Sequence, residues 1–173
     1  PSSRYDIWAA VNLKVVDESG TILRDIFSFQ WDIKVFVDWV YKNENEILYE
    51  PFPFQDVRDR YICDSIKRID DDYEKYLSDE DEASISPELD EKIDRTEYYL
   101  NRHNLNVAFS GSKYMYNVYI GLGNNGHEIS SYTVDAMLGY RVDLREFIEN
   151  VKIIRSELML KYKEVWELPI VPS

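Results

Sequence analysis

Residues 119–130 read YIGLGNNGHEIS, and the fold class depends on how they are read. Gly121, Gly123 and Gly126 spell the GxGxxG of a dinucleotide-binding loop. That loop needs a helix opening directly behind it, so that the helix N-terminal amides meet a pyrophosphate. The residues directly behind it are HEISSYTV (127–134), β-branched and aromatic, the composition of a strand. Asn125-Gly126 is a tight-turn pair. No parallel strand–helix–strand unit surrounds the motif. The stretch therefore reads as an antiparallel hairpin, with a second strand over 127–134 and a first over 113–122.

Working outward, the same kind of strand recurs at the N-terminal end. In YDIWAAVNLKVV (5–16), Ile7, Ala9, Val11, Leu13 and Val15 alternate onto one face. Asp17–Gly20 is a turn, and TILRDIFSFQ (21–30) returns as the partner strand. Asp32 stands as an N-cap before Ile33, Phe36, Val37 and Val40, which share one helical face. Asn43 ends that helix. Ile47–Glu50 reads as a short strand stopped by Pro51 and Pro53. A helix is expected from a cap at Asp56 through Tyr61, Ile62, Ile66, Ile69, Tyr73 and Leu77. Another is capped by Ser86 with Pro87 at its first position, and buries Leu89, Ile93, Thr96 and Leu100. LNVAFS (105–110) reads as a strand joined to 113–122 across a Gly111–Ser112 turn. Asp143, with Glu146 three residues on, opens a final helix whose apolar face is Leu144, Phe147, Ile148, Val151 and Leu158. Strands, helices, strands, helix is the order of an α+β fold, a largely antiparallel sheet covered on one face by helices. A chain of 173 residues with 45% hydrophobic residues supports a core, and a single domain over 1–173 is expected.

Charge is unevenly spread. The net charge is −13. Residues 64–97 hold fourteen acids and five bases, a net −9, and they form most of a helix–loop–helix segment at about 57–103. Glu88, Asp90 and Glu91 suit the first turn of their helix. Asp70, Asp71, Asp72 and Glu74 fall late in the preceding helix, where negative charge opposes the dipole, and Asp79, Glu80, Asp81 and Glu82 crowd a loop. Such conflicts with local physics are where function is expected. An acidic face steers association with a basic partner, and Tyr73 and Tyr76 inside the run can serve as apolar anchors. The charge repels nucleic acid and anionic membrane, and basic residues are scattered rather than clustered with aromatics.

Catalytic motifs are missing. There is no Gly-x-Ser-x-Gly, no phosphate-binding P-loop and no Cys-x-x-Cys. His103 and His127 are the only histidines, and neither sits in a dense ligand cluster. With carboxylates such as Glu128 they could run acid–base hydrolysis or seed a metal site; structural roles are the expectation. Asp79–Glu82 lacks the ligand order of an EF-hand, so no calcium site is assigned. Cys63, the sole cysteine, excludes an internal disulfide and reads as a buried structural thiol. Phe27, Phe29, Trp31, Phe36 and Trp39 read as a sheet-on-helix core rather than a ligand pocket. No apolar run reaches the ~18 residues of a membrane span. PSSRYD reads as no secretory signal, and a cytoplasmic location is expected.

Three stretches carry a resemblance. FSFQWDIKVFVDWVYKNENEILYEPFPF (27–54), YIGLGNNGHEIS (119–130) and YRVDLREFI (140–148) resemble bacterial immunity proteins of contact-dependent growth-inhibition and other polymorphic toxin systems. The resemblance implies a non-enzymatic cytoplasmic antidote, without cofactor, that binds and blocks a cognate toxin, often a nuclease. Such proteins share no catalytic motif, so no site residue is carried over. The partner surface expected here is Asp70, Asp71, Asp72, Tyr73, Glu74, Tyr76, Asp79, Glu80, Asp81 and Glu82. The alternatives are a small hydrolase or nuclease using His103 and His127, and an acidic protein-binding adaptor.

Overall fold

Alternation at the N-terminal end produces a long hairpin. β1 (Trp8–Val16) pairs antiparallel with β2 (Ile22–Asp32), from Trp8 opposite Asp32 to Val16 opposite Ile22. The computed structural model describes residues 6–56, 58–78, 86–109, 116–133 and 136–166. It has an α+β fold with two antiparallel sheets, this hairpin and a three-stranded meander. Packing gathers the chain into two compact units, residues 1–44 with 145–173, and residues 45–144.

In the first unit Asp17 organises the hairpin turn. Its carboxylate accepts from the backbone N–H groups of Ser19 and Thr21, both at 2.9 Å, and Gly20 takes the φ of +82° that the turn requires. Ile7, Val11, Val15 and Ile26 are buried. Phe27, Phe29 and Trp31 meet in turn along β2, the first pair tilted and the second edge to face, and are half-buried. α1 (Ile33–Lys42) starts where β2 ends, because Asp32 accepts from Lys34 N at 3.1 Å and from Ile7 N at 3.2 Å. α1 buries Phe36, Val37 and Val40. α6 (Leu144–Lys161) carries Ile148 and Val151 into the core, and the short α7 (Lys163–Trp166) comes after it. Asp38 of α1 receives Lys34 at 3.0 Å and Arg155 of α6 at 2.7 Å.

The second unit is built on the meander β3 (Tyr119–Gly123), β4 (Gly126–Tyr132) and β5 (Met137–Arg141). The glycine motif is indeed a hairpin: Gly123 pairs with Gly126 around Asn124-Asn125, and Gly126 has φ +106°. That positive φ is what only glycine adopts freely. α3 (Ile62–Ser78) and α4 (Pro87–His103) pack against this sheet. The core joins Phe52, Ile62, Cys63, Ile66, Ile69, Tyr99 and Tyr119. Ser86 caps α4 through Leu89 N, with Pro87 at the first position.

Several expectations need correction. Residues 47–50 are not a strand: α2 (Glu44–Tyr49) covers most of them, burying Ile47 and Leu48, and Glu50 N bonds to Glu46 O at 2.9 Å. Residues 105–108 form the single-turn α5 (Leu105–Ala108), because Asn104 caps Asn106 N at 3.0 Å. The first strand of the later hairpin starts only at Tyr119, and the expected Gly111–Ser112 turn lies outside the described residues. α3 starts at Ile62 rather than beside Asp56, since the Asp64 carboxylate takes the Arg60 and Tyr61 N–H groups and holds them in a turn. β5 was not expected. The central strand β4 is buried on both faces, Glu128 and Ser130 on one and Ile129 and Ser131 on the other.

Candidate functional site

α3 and α4 expose nine of the ten described acids of residues 64–97. Asp70, Asp71, Asp72 and Glu74 are exposed on α3, and Glu88, Asp90, Glu91, Asp94 and Glu97 are exposed on α4. Tyr73 and Tyr76 are half-buried. Asp79, Glu80, Asp81 and Glu82 lie outside the described residues. Asp70 to Asp72 stand in the middle of the 17-residue α3, not in its last turn. The dipole acts within the terminal turns, so it does not oppose these three as their sequence position suggested. Two of them also have partners. Asp71 pairs with Lys67 at 2.6 Å, and Asp70 accepts a hydrogen bond from the Tyr132 hydroxyl. Among this group, the charges without such an explanation are Asp72 and Glu74.

Beneath the two helices lies a buried polar centre that sequence reading did not assemble. Glu128 is fully buried. Its carboxylate accepts from Ile62 N at 2.6 Å and pairs with Arg141 at 2.6 Å. Ser130 Oγ, two residues along the same face of β4, accepts from Cys63 N at 3.3 Å. A strand thus supplies the N-terminal cap of α3, satisfying amides that would otherwise be orphaned in the core. Burial raises the Glu128 pKa above the usual carboxylate range, against the hydrogen bonds and the arginine that lower it.

The glycines make room for this centre. A Cβ on Gly123 would overlap the Glu128 carboxylate, and one on Gly121 would stand 2.7 Å from His103 Nδ1 and 2.9 Å from the Tyr99 hydroxyl. A Cβ on Gly139 would enter the Tyr61 ring. Gly121 and Gly123 of the glycine motif are thus a floor on which side chains from α4 and β4 lie.

His103 is completely buried, with its ring stacked 3.7 Å from that of Tyr99. Its Nδ1 donates to the Ile120 carbonyl at 2.9 Å, and Nε2 lies 3.1 Å from Glu50 Oε2. Glu50 is held by both arms of Arg102, at 3.0 and 2.6 Å. Burial lowers the His103 pKa, and the carbonyl and carboxylate, which favour the proton, do not overcome it. For Glu50, burial raises the pKa but the bonds from Arg102 and His103 outweigh it and hold the carboxyl low. His127 bonds to the Leu48 carbonyl at 3.0 Å. It pairs with Leu122, next to the Gly121–Glu128 pair, so it faces away from the side on which His103 meets Gly121. The two histidines do not converge. Cys63 is buried, and desolvation pushes its thiol up to about 12, as expected of a structural cysteine.

Among the described residues, no group of three or more His, Cys, Asp or Glu is placed to hold a metal ion. No described helix is long and apolar enough to cross a membrane. No protein family, curated protein or solved structure matches this chain.

Proposed function

We propose that this chain is a non-enzymatic, cytoplasmic inhibitor of the immunity type, which binds a basic toxin domain, such as a nuclease, and blocks it sterically. The observation that carries the reading is the concentration of exposed acids on α3 and α4 within one compact unit, in a chain of net charge −13. A substrate groove that accommodates phosphates is positive, and an acidic helical surface can occupy it while raising the encounter rate. The placement of His103 and His127 on opposite faces favours binding over two-histidine hydrolysis. His103, Glu50 and Arg102 are engaged with one another inside the protein, and Glu128 is engaged in holding α3.

The test is co-expression with the protein encoded by the neighbouring gene, followed by tandem purification. A stable complex that abolishes that protein's toxicity is the expected result. Recovery of the chain alone, together with undiminished toxicity, would remove the antidote reading and favour the adaptor.

A further inference from the structure

The β3–β4 turn contains the only Asn-Gly pair in the chain, Asn125-Gly126. Its two asparagines differ. The Asn124 side chain is tied down, its amide donating to the carbonyls of Asp56 at 2.9 Å and Asp59 at 3.4 Å. Asn125 is exposed, and no such bond holds its amide. The next residue brings no side chain to shield its own nitrogen: Gly126 sits at φ +106° with open space where a Cβ would stand.

We propose that Asn125 is a self-modifying site, which the folded turn converts to isoaspartate. The Gly126 backbone nitrogen, giving up its proton to hydroxide, attacks Cγ of Asn125. The N–Cγ bond forms, the Cγ–Nδ2 bond breaks, and ammonia leaves with the proton taken back from water. Water then opens the five-membered succinimide at either carbonyl. Opening at Cγ leaves aspartate; opening at the main-chain carbonyl leaves isoaspartate, with the chain now running through the former side chain. No oxidant, metal or cofactor takes part. The isoaspartate adds a methylene to a two-residue turn and a negative charge beside it. That turn is also a joint, since Asn124 holds Asp56 and Asp59 ahead of α3, and Gly126 O accepts from Arg141, the partner of Glu128. Conversion therefore loosens the seat of the α3 N-terminus.

The full chain is aged in mildly alkaline buffer, folded and in urea, then mapped by mass spectrometry, with isoaspartate counted by enzymatic methylation. In the folded protein the 125–126 peptide should lose its amide nitrogen and gain isoaspartate. Exposed Asn45 and Asn150, followed by Glu46 and Val151, should remain intact over the same period. The aged protein should also melt lower than the fresh one. Asn125→Gln should keep the fold and stop the conversion. Conversion in urea but not in the folded chain would overturn the proposal, because the turn would then be protecting the bond. Equal loss at Asn45, Asn125 and Asn150, or ammonia release at an unchanged rate from the Gln variant, would overturn it as well.

Discussion

At the scale of single residues, the second unit depends on atoms that are absent. Gly123 has no Cβ, and the Glu128 carboxylate lies where one would be. Glu128 cannot retreat without releasing Ile62 N and Arg141. Gly123→Ala should therefore destabilise by about 1–3 kcal/mol, the usual range for overpacking a filled interior. Urea denaturation would read it, and an unchanged midpoint would mean that the carboxylate has somewhere else to go. His103 gives a pH dependence with a definite sign. Its unfolded pKa is about 6.5 and burial holds the folded value lower. Between the two values the unfolded chain binds more protons, so stability is complete above the unfolded value and falls as the pH drops toward the folded one. His103→Gln should flatten that part of the stability profile. Equal slopes in variant and parent would show that His103 titrates normally in the fold.

At the scale of elements, caps set where helices begin, and here they come from near and far. Asp32 is local: the last residue of β2 caps α1 and at the same time ties down the Ile7 amide at the start of β1. Asp32→Ala removes both bonds and should cost about 1–2 kcal/mol, the upper part of the range for losing an N-cap. Hydrogen exchange should then show faster opening at Lys34 and Ile7, with protection in β3–β5 kept. Uniform loss of protection would contradict a local role. The cap of α3 is remote, since Glu128 and Ser130 reach Ile62 and Cys63 across more than sixty residues of sequence. Residues 58–61 are consequently turn rather than helix, with Asp56, Asp59 and Asp64 all accepting backbone N–H groups nearby.

At the scale of the whole molecule, the acidic run divides by its partners. Asp70 and Asp71 are engaged with Tyr132 and Lys67, so neutralising them should touch stability. Asp72 and Glu74 are exposed, and Asp79–Glu82 repeat the same charge along the sequence. Changing Asp72 and Asp79–Glu82 together with Glu74 to Asn or Gln should leave the melting temperature unchanged or slightly raised, as repulsion is relieved. Association with a basic partner should slow and lose much of its salt dependence, because steering is screened beyond ~8 Å at physiological ionic strength. Stopped-flow association at two salt concentrations reads this. An association rate and salt slope equal to the parent's would reduce these acids to a solvated surface.

Features under local chemical control were legible along the chain. Period-two alternation defined β1, Asp32 and Ser86 defined helix starts, and the strand-like residues after Gly126 made the glycine motif a hairpin. Each of these signals acts over a few residues, so it is legible in order along the chain. Short apolar segments misled: ILYE and LNVA carry no period long enough to separate strand from helix, and the Asn104 cap that makes the second helical acts through a hydrogen bond. The buried centre was out of reach for a different reason. Glu128, Ser130, His103 and Glu50 are not brought together by any local signal, because nothing local says that both faces of β4 are covered. Only tertiary packing brings Ile62 N to Glu128 and the His103 ring onto Gly121. Buried polar groups persist only where partners meet them, and here the partners come from distant parts of the chain.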